Sequence, residues 1–426
     1  MSENYQDLKC LAGHFSRRHA LKMLGVGALA AGEGSKAWAQ TAGTPTLLMD
    51  GHVHVTNRVY WEKVDLWQPR DGGWDYARAR ASGVNCIIDN LGTYGAWNYN
   101  YTPKQALRLI ETAHRYAQQH ADKMAIVTSV ADARRVMASG RLAVFLGSES
   151  GWDHEGDLDV LNAFYRLGLR TIQFASQSGF NAFADSALAM LQGGQKPDYY
   201  RGLNDRGRAL VAEMNRLGIL IDITHGTEAT QKQLIEASRA PVVASHDTIK
   251  VVSGVGLSDE ILKSLAAKGG LVGIHGGAAV VGKRYRQWMA GHRDKVAEAA
   301  KSVPNMVGYQ PSFPRAPGDH GEYIERFDKE FGETWRARGA WKEIPELEPL
   351  IPTADEWAEQ VDYVIKTVGA DHVAIGLDMA GARSGVPKDA GGYGDILAAL
   401  KRITTAENVR KITGENWFRV LDKARA

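Results

Sequence analysis

The 426-residue chain is poor in cysteine, with only Cys10 and Cys86, so neither a disulfide framework nor a thiolate zinc site can be built from it. It has almost no charge excess: 51 Lys and Arg stand against 49 Asp and Glu, a net +2 that supplies no field for steering toward nucleic acid or anionic lipid. No apolar run is long enough to span a membrane stably, no internal repeat recurs, and no glycine-rich phosphate loop follows the first strand-like run. Any metal must therefore sit on histidine and carboxylate. With 44% hydrophobic residues, the chain can bury a large core.

The first 39 residues read as a targeting segment. Ser16-Arg17-Arg18-His19-Ala20-Leu21-Lys22 is a twin-arginine pattern, a mild apolar stretch runs from Met23 to Gly32, and Ala37-Trp38-Ala39 suits a signal peptidase. The expectation is a signal peptide at 1–39, export to the periplasm or beyond by the twin-arginine route, and a formally neutral mature chain at 40–426.

Beyond it, short apolar runs alternate with helix-period segments: Leu47 to Met49, Val84 to Ile88, Ala125 to Val130, Leu142 to Leu146, Leu169 to Phe174, Ile219 to Ile223, Pro241 to Ala244, Leu271 to Ile274 and Val373 to Ile375. Most are continuous rather than alternating, as strands covered on both faces are. Asn204-Asp205 and Ser258-Asp259-Glu260 open helices that stop at Gly218 and at Gly269-Gly270. Eight or nine strands in this rhythm predict a single (β/α)₈ TIM barrel domain. One interval breaks it. Residues 281–352 hold seven prolines and no strand-like run, an insertion before the last strand that should lie over the barrel mouth as a lid or a solvated excursion.

Chemistry gathers at the strand ends. His52 and His54 close the first strand, and residues two apart in an extended chain point to one side. Glu149, His225, His246 and Asp378 each follow a separate run, and in a barrel all these ends converge on one rim. Four histidines and two carboxylates suit two borderline divalent ions, zinc above all. The expected division is His52, His54 and Asp378 around one ion, His225 and His246 around the other, and Glu149 bridging. Water between two such ions ionises near neutral pH and becomes a nucleophile, with Asp378 as general base. The expected reaction is metal-assisted hydrolysis.

The chain resembles the membrane (renal) dipeptidases of the amidohydrolase superfamily from about Leu47 to Leu421. The resemblance is carried by Gly202-Leu203-Asn204-Asp205-Arg206-Gly207, Asp222-Ile223-Thr224-His225, Ala244-Ser245-His246, Leu257-Ser258-Asp259-Glu260, Asp371-His372-Val373-Ala374-Ile375-Gly376 and Gly414-Glu415-Asn416. It implies a (β/α)₈ fold, a binuclear zinc centre, a small dipeptide substrate and often a homodimer. Carried over by position, the family's zinc ligands fall on His52, Glu149, His225 and His246, and its general base on Asp378.

Four departures qualify the substrate. The family's His-x-Asp is His52-Val53-His54 here. Its carbonyl-polarising histidine is replaced near Ser176 or Gln177, and its carboxylate-binding arginine by Val255, read as a buried apolar residue. The second carboxylate of its last-strand motif becomes Ala380. His275 and Arg284 are candidates to supply the lost contacts, and Tyr94, Trp97 and Tyr99 an aromatic wall. Three functions stay open: a zinc dipeptidase with altered carboxylate recognition, a zinc hydrolase of another amide, ester or lactone, and a non-catalytic binding protein on the same scaffold.

Overall fold

Runs of β-branched and aliphatic residues bury both faces only as strands with cover on each side, and nine do so in the computed structural model. They are β1 (Met49–Val53), β2 (Cys86–Leu91), β3 (Met124–Ile126), β4 (Leu142–Ser148), β5 (Leu169–Gln173), β6 (Leu220–Asp222), β7 (Val243–Asp247), β8 (Leu271–Ile274) and β9 (Val373–Ile375). The structure describes residues 47–68, 73–93, 101–149, 156–175, 182–187, 198–301, 325–326, 328–330, 332–333, 344–379 and 385–425. The expected signal peptide, Tyr94, Trp97, Tyr99, Ser176, Gln177 and Ala380 lie outside them.

All strand pairs are parallel, in the order β1-β2-β4-β5-β6-β7-β8-β9. The ring returns to β1 through a bridge from Val53 to Met379 and a hydrogen bond from the Asp378 amide to the His52 carbonyl at 3.0 Å. This is a nearly closed eight-stranded α/β barrel. The ninth run, β3, stands outside the ring: it pairs with Leu142 to Val144 of β4, while β5 pairs with Leu146 to Ser148. Because β2 takes the opposite edge along its length, β3 and β5 share the remaining one.

Helices cover the barrel where the caps place them. Asn204 accepts from the Gly207 amide at 3.0 Å to open Asp205–Leu217, and Gly218 at φ 75° closes it. The helix Val55–Glu62 has no side-chain cap of its own, because His54 stands at that position. Asp89 on β2 caps it from outside, accepting from the Val55 amide at 2.9 Å, the Thr56 amide at 3.1 Å and the Thr56 hydroxyl at 2.6 Å. The C-terminal helix Asn416–Ala424 seals a second core cluster with Trp417 and Phe418. Trp417 reaches the barrel wall because Gly51 has no side chain: a Cβ there would lie 2.0 Å from the indole ring.

The interval between β8 and β9 contributes the helices Lys283–Gly291 and Arg293–Lys301 and the 3₁₀ turn Pro345–Leu350, with a small core of Ala278, Tyr285, Ile344 and Leu347. Asp328 fastens it to the barrel helices, accepting from the Tyr60 hydroxyl at 2.6 Å and pairing with Arg108. Among the described residues, no helix is long and apolar enough to cross a membrane.

Candidate metal centre

The C-terminal ends of β1, β4, β6, β7 and β9 bring His52, His54, Glu149, His225, His246 and Asp378 together. His52 and His246 stand within their strands, His54 and Glu149 follow theirs directly, and His225 and Asp378 lie just beyond β6 and β9. His225 and Asp378 take left-handed backbone conformations, φ 65° and 53°, which cost non-glycine residues about 1–3 kcal/mol each and persist only where the surroundings enforce them.

Glu149 is the centre of the arrangement. Its Oε2 lies 2.9 Å from His54 Nε2, and its Oε1 lies 3.5 Å from His225 Nε2 and 3.8 Å from His246 Nε2. His52 Nε2 approaches His54 Nε2 at 3.2 Å, and His225 Nε2 approaches His246 Nε2 at 3.1 Å. These spacings match the edge of a coordination tetrahedron, about 3.3–3.4 Å for zinc–nitrogen bonds of about 2.0–2.1 Å. Among the described residues three donor groups result, His52–His54–Glu149, Glu149–His225–His246 and His52–Asp222–His246, each with its ligand atoms within 4.8 Å of one another.

The donor chemistry fits a cation. His54 Nδ1 lies 2.5 Å from the Asn90 carbonyl, an acceptor only, so Nδ1 holds the proton and Nε2 presents a lone pair to Glu149 and to Asp378 Oδ1, 3.1 Å away. Asp378 Oδ1 is accordingly buried without a hydrogen bond. Lone pairs facing lone pairs at these distances require a positive charge between them.

The electrostatics agree. Burial opposes a charge on His54, but the Glu149 and Asp378 carboxylates outweigh it and hold the imidazole well above its usual range. The field that draws a proton to Nε2 draws a metal cation to the same place. Burial works to raise Glu149 and Asp378, yet neighbouring histidines keep both well below the usual carboxylate range, His54 and His225 for Glu149, His275 and His54 for Asp378. Burial, helped by His54, pushes His52 down to about 3, and burial with His52 holds His246 well below the usual range, leaving both neutral as ligation demands.

His275 is different. Its Nδ1 accepts the Gly277 amide at 2.8 Å, so its neutral ring carries the proton on Nε2, 3.4 Å from Asp378 Oδ2. It is a donor to Asp378, not a ligand. The other sequence candidates fare less well. Val255 is not buried but 38% exposed, because it sits at the tip of a turn whose carbonyl accepts from Ser253 Oγ at 2.7 Å. Arg284 points to the outside, where it pairs with Glu356 at 2.9 Å. Arg286, two residues on, reaches the β7 loop instead, bonding the Ser253 and Ala279 carbonyls.

Sequence reasoning missed the supporting residues. Asp50 accepts from the His52 and Leu377 amides at 3.1 Å each and from Tyr393 Oη at 2.6 Å, tying β1 to β9 behind the histidines. Gln173 donates to the Glu149 and Ala175 carbonyls. An acidic residue two or three before each histidine motif, Asp50 and Asp222, was the available signal.

A parallel barrel with this donor set at its carboxyl rim is a (β/α)₈ metallohydrolase. The chain belongs to the membrane dipeptidase family, peptidase family M19, whose family model matches residues 39–426. It is 24% identical over 384 residues to dipeptidase tcpJ of Claviceps purpurea, covering 88% of this chain and 70% of that protein. Its fold resembles the probable dipeptidase PvdM of Pseudomonas aeruginosa, with a TM-score of 0.69, 22% identity and coverage of 89% and 95% of the two chains. It also resembles a metallo peptidase of Rhodobacter sphaeroides solved with a phosphinate mimic of the dipeptide L-Ala-D-Ala, with a TM-score of 0.64, 19% identity and coverage of 89% and 100%.

Proposed function

We propose that the protein is a binuclear zinc dipeptidase, or a hydrolase of a closely similar small amide. The observation that carries this reading is Glu149, whose Oε2 faces His54 while its Oε1 faces His225 and His246. His52, His54 and Glu149 would hold one zinc ion, with Asp378 beside His54, and Glu149, His225 and His246 the other. Bound there, the ions supply Lewis acidity toward the scissile carbonyl and lower the pKa of water.

The chain's own residues do the rest. Asp378, ionised at neutral pH, takes a proton from the attacking water at Oδ1 and returns it to the departing nitrogen. His275 donates to Oδ2, which orients the carboxylate and leaves Oδ1 turned to the metal donors. His52, His54, Glu149 and His246 are buried, while Asp378 keeps 14% of its side chain exposed, so water can reach the base.

The test compares zinc-dependent hydrolysis of a dipeptide with that of the same dipeptide amidated at its C-terminus. Preference for the free acid supports the dipeptidase reading. Equal turnover would overturn it and point to neutral amides, esters or lactones. We further propose that residues 1–39 direct twin-arginine export of the zinc-loaded, folded protein and are then removed. The mature N-terminus should begin near Gln40, and replacing Arg17 and Arg18 by lysine should stop export. Light scattering should find a homodimer.

A further inference from the structure

One hydroxyl touches both halves of the metal centre. Ser245 Oγ, buried on β7, lies 2.8 Å from His52 Nδ1 and 2.9 Å from His246 Nδ1, and it donates to Asp222 Oδ2. His52 shares one donor group with His54 and Glu149, His246 shares another with Glu149 and His225, and the two meet in a third with Asp222. Their rings lie with centroids 3.7 Å apart, tilted by 41°. The backbone that carries this hydroxyl has no slack, since Cβ atoms at Gly273 and Gly376 would lie 2.1 Å and 1.9 Å from the Ser245 carbonyl oxygen.

A hydroxyl has one proton and two lone pairs. Asp222 has the means to take the proton: its Oδ1 already accepts from the Thr224 amide at 3.0 Å, the Thr224 hydroxyl at 2.7 Å and the Ser245 amide at 3.0 Å, which leaves Oδ2 as an acceptor facing Oγ. With its proton committed to Asp222, Ser245 can only accept from the two histidines. Both Nδ1 atoms must then be protonated and both Nε2 atoms must present lone pairs to the ions.

We propose that Ser245, polarised by Asp222, is a shared positioning residue that sets the tautomer of one ligand in each of the two metal sites. The inference rests on the two-zinc reading. It makes the pair Asp222–Ser245 a single switch for both ions, so the two substitutions within it should not have equal effects.

Ser245→Ala removes the acceptor for both Nδ1–H groups, and both sites should weaken about 10–100-fold. Asp222→Asn keeps its carbonyl on the three Oδ1 donors and turns its NH₂ toward Ser245. The hydroxyl must then donate to one histidine, which moves that imidazole's proton to Nε2 and blocks one ligand. One site should be lost and the other kept.

The experiment is a zinc titration of the chelated full-length protein against a chromophoric competitor, with stoichiometry read from metal analysis. Urea unfolding of each chelated variant reports folding separately. Wild type taking up two ions, Ser245→Ala weakened at both and Asp222→Asn at one is the expected result. A purely structural role would lower the unfolding midpoint without this two-against-one pattern. If wild type binds fewer than two ions, the binuclear reading fails. If it binds two and either Ser245→Ala or Asp222→Asn binds both as tightly as wild type, the shared-hydroxyl inference fails. Should Ser245→Ala not fold, the Asp222→Asn titration decides alone.

Discussion

Replacing Asp89 by alanine removes the cap of the helix that begins directly after His54. Three buried donors lose their acceptor: the Val55 amide, the Thr56 amide and the Thr56 hydroxyl. Hydrogen bonds to a charged group contribute about 1.5–3 kcal/mol each, so the contacts together stabilise the fold by about 4–9 kcal/mol. Against this stands the cost of burial. Burial, only partly offset by Thr56, raises the Asp89 carboxyl from its ordinary 3.8 to about 6, which costs the folded state about 3 kcal/mol at neutral pH. The net loss in Asp89→Ala should therefore be about 1–6 kcal/mol at neutral pH. The sign of its pH dependence follows from the same shift. The folded protein binds the Asp89 proton more tightly than the unfolded chain does, so wild type gains stability from this group as pH falls from about 6 toward 4, and alanine cannot. The mutation should cost about 1 kcal/mol more at pH 5 than at pH 7.5. Urea unfolding of wild type and variant, both with chelator so that metal loss does not contribute, measures this difference. A mutational cost below 1 kcal/mol at neutral pH, or one that shrinks on acidification, refutes the assignment.

Two further outcomes follow from the geometry. Asp378→Asn should lower kcat about 10²–10⁴-fold while zinc content and KM change little, because Glu149 and the four ligand histidines remain; a variant that stays fully active would remove Asp378 from the proton transfer. Gly51→Ala should destabilise by at least about 2 kcal/mol, since Trp417 is fully buried and held by a 2.9 Å bond from its Nε1 to the Ile375 carbonyl, and cannot move away from the new methyl group. An unchanged urea midpoint in that variant would mean the indole yields more easily than its packing indicates.

The barrel and the gathering of the candidate metal ligands were legible because both are written in local order. Strands covered on both faces need uninterrupted apolar residues, so Leu142 to Leu146 or Leu271 to Ile274 declares itself within five residues. Once parallel strands close a ring, every residue just past a strand faces the same rim, and His52, His54, Glu149, His225, His246 and Asp378 assemble without further information. The place of β3 was not legible in this way. Nothing in Ala125 to Val130 distinguishes a ring strand from one that shares an edge of β4, because that depends on which neighbour fills the edge.

Side-chain pairing is decided still further from local order. His275 reads in sequence as one more strand-end histidine, yet a single amide, that of Gly277, fixes its proton on the nitrogen facing Asp378 and makes it a donor. Arg284 reads in sequence first as a solvated surface charge and only second as an anchor for a substrate carboxylate, and Glu356 of the helix Ala354–Val368 pairs with it at the surface. Ser245 meets His52 across 193 residues of chain. The residue types and their spacing along strands were enough to specify a metal-binding barrel, since periodicity and burial are properties of a single segment. Which nitrogen carries a proton, which cation is already paired and which acid caps a helix depend on groups brought from other strands within about 3 Å, and only the closed barrel brings them there.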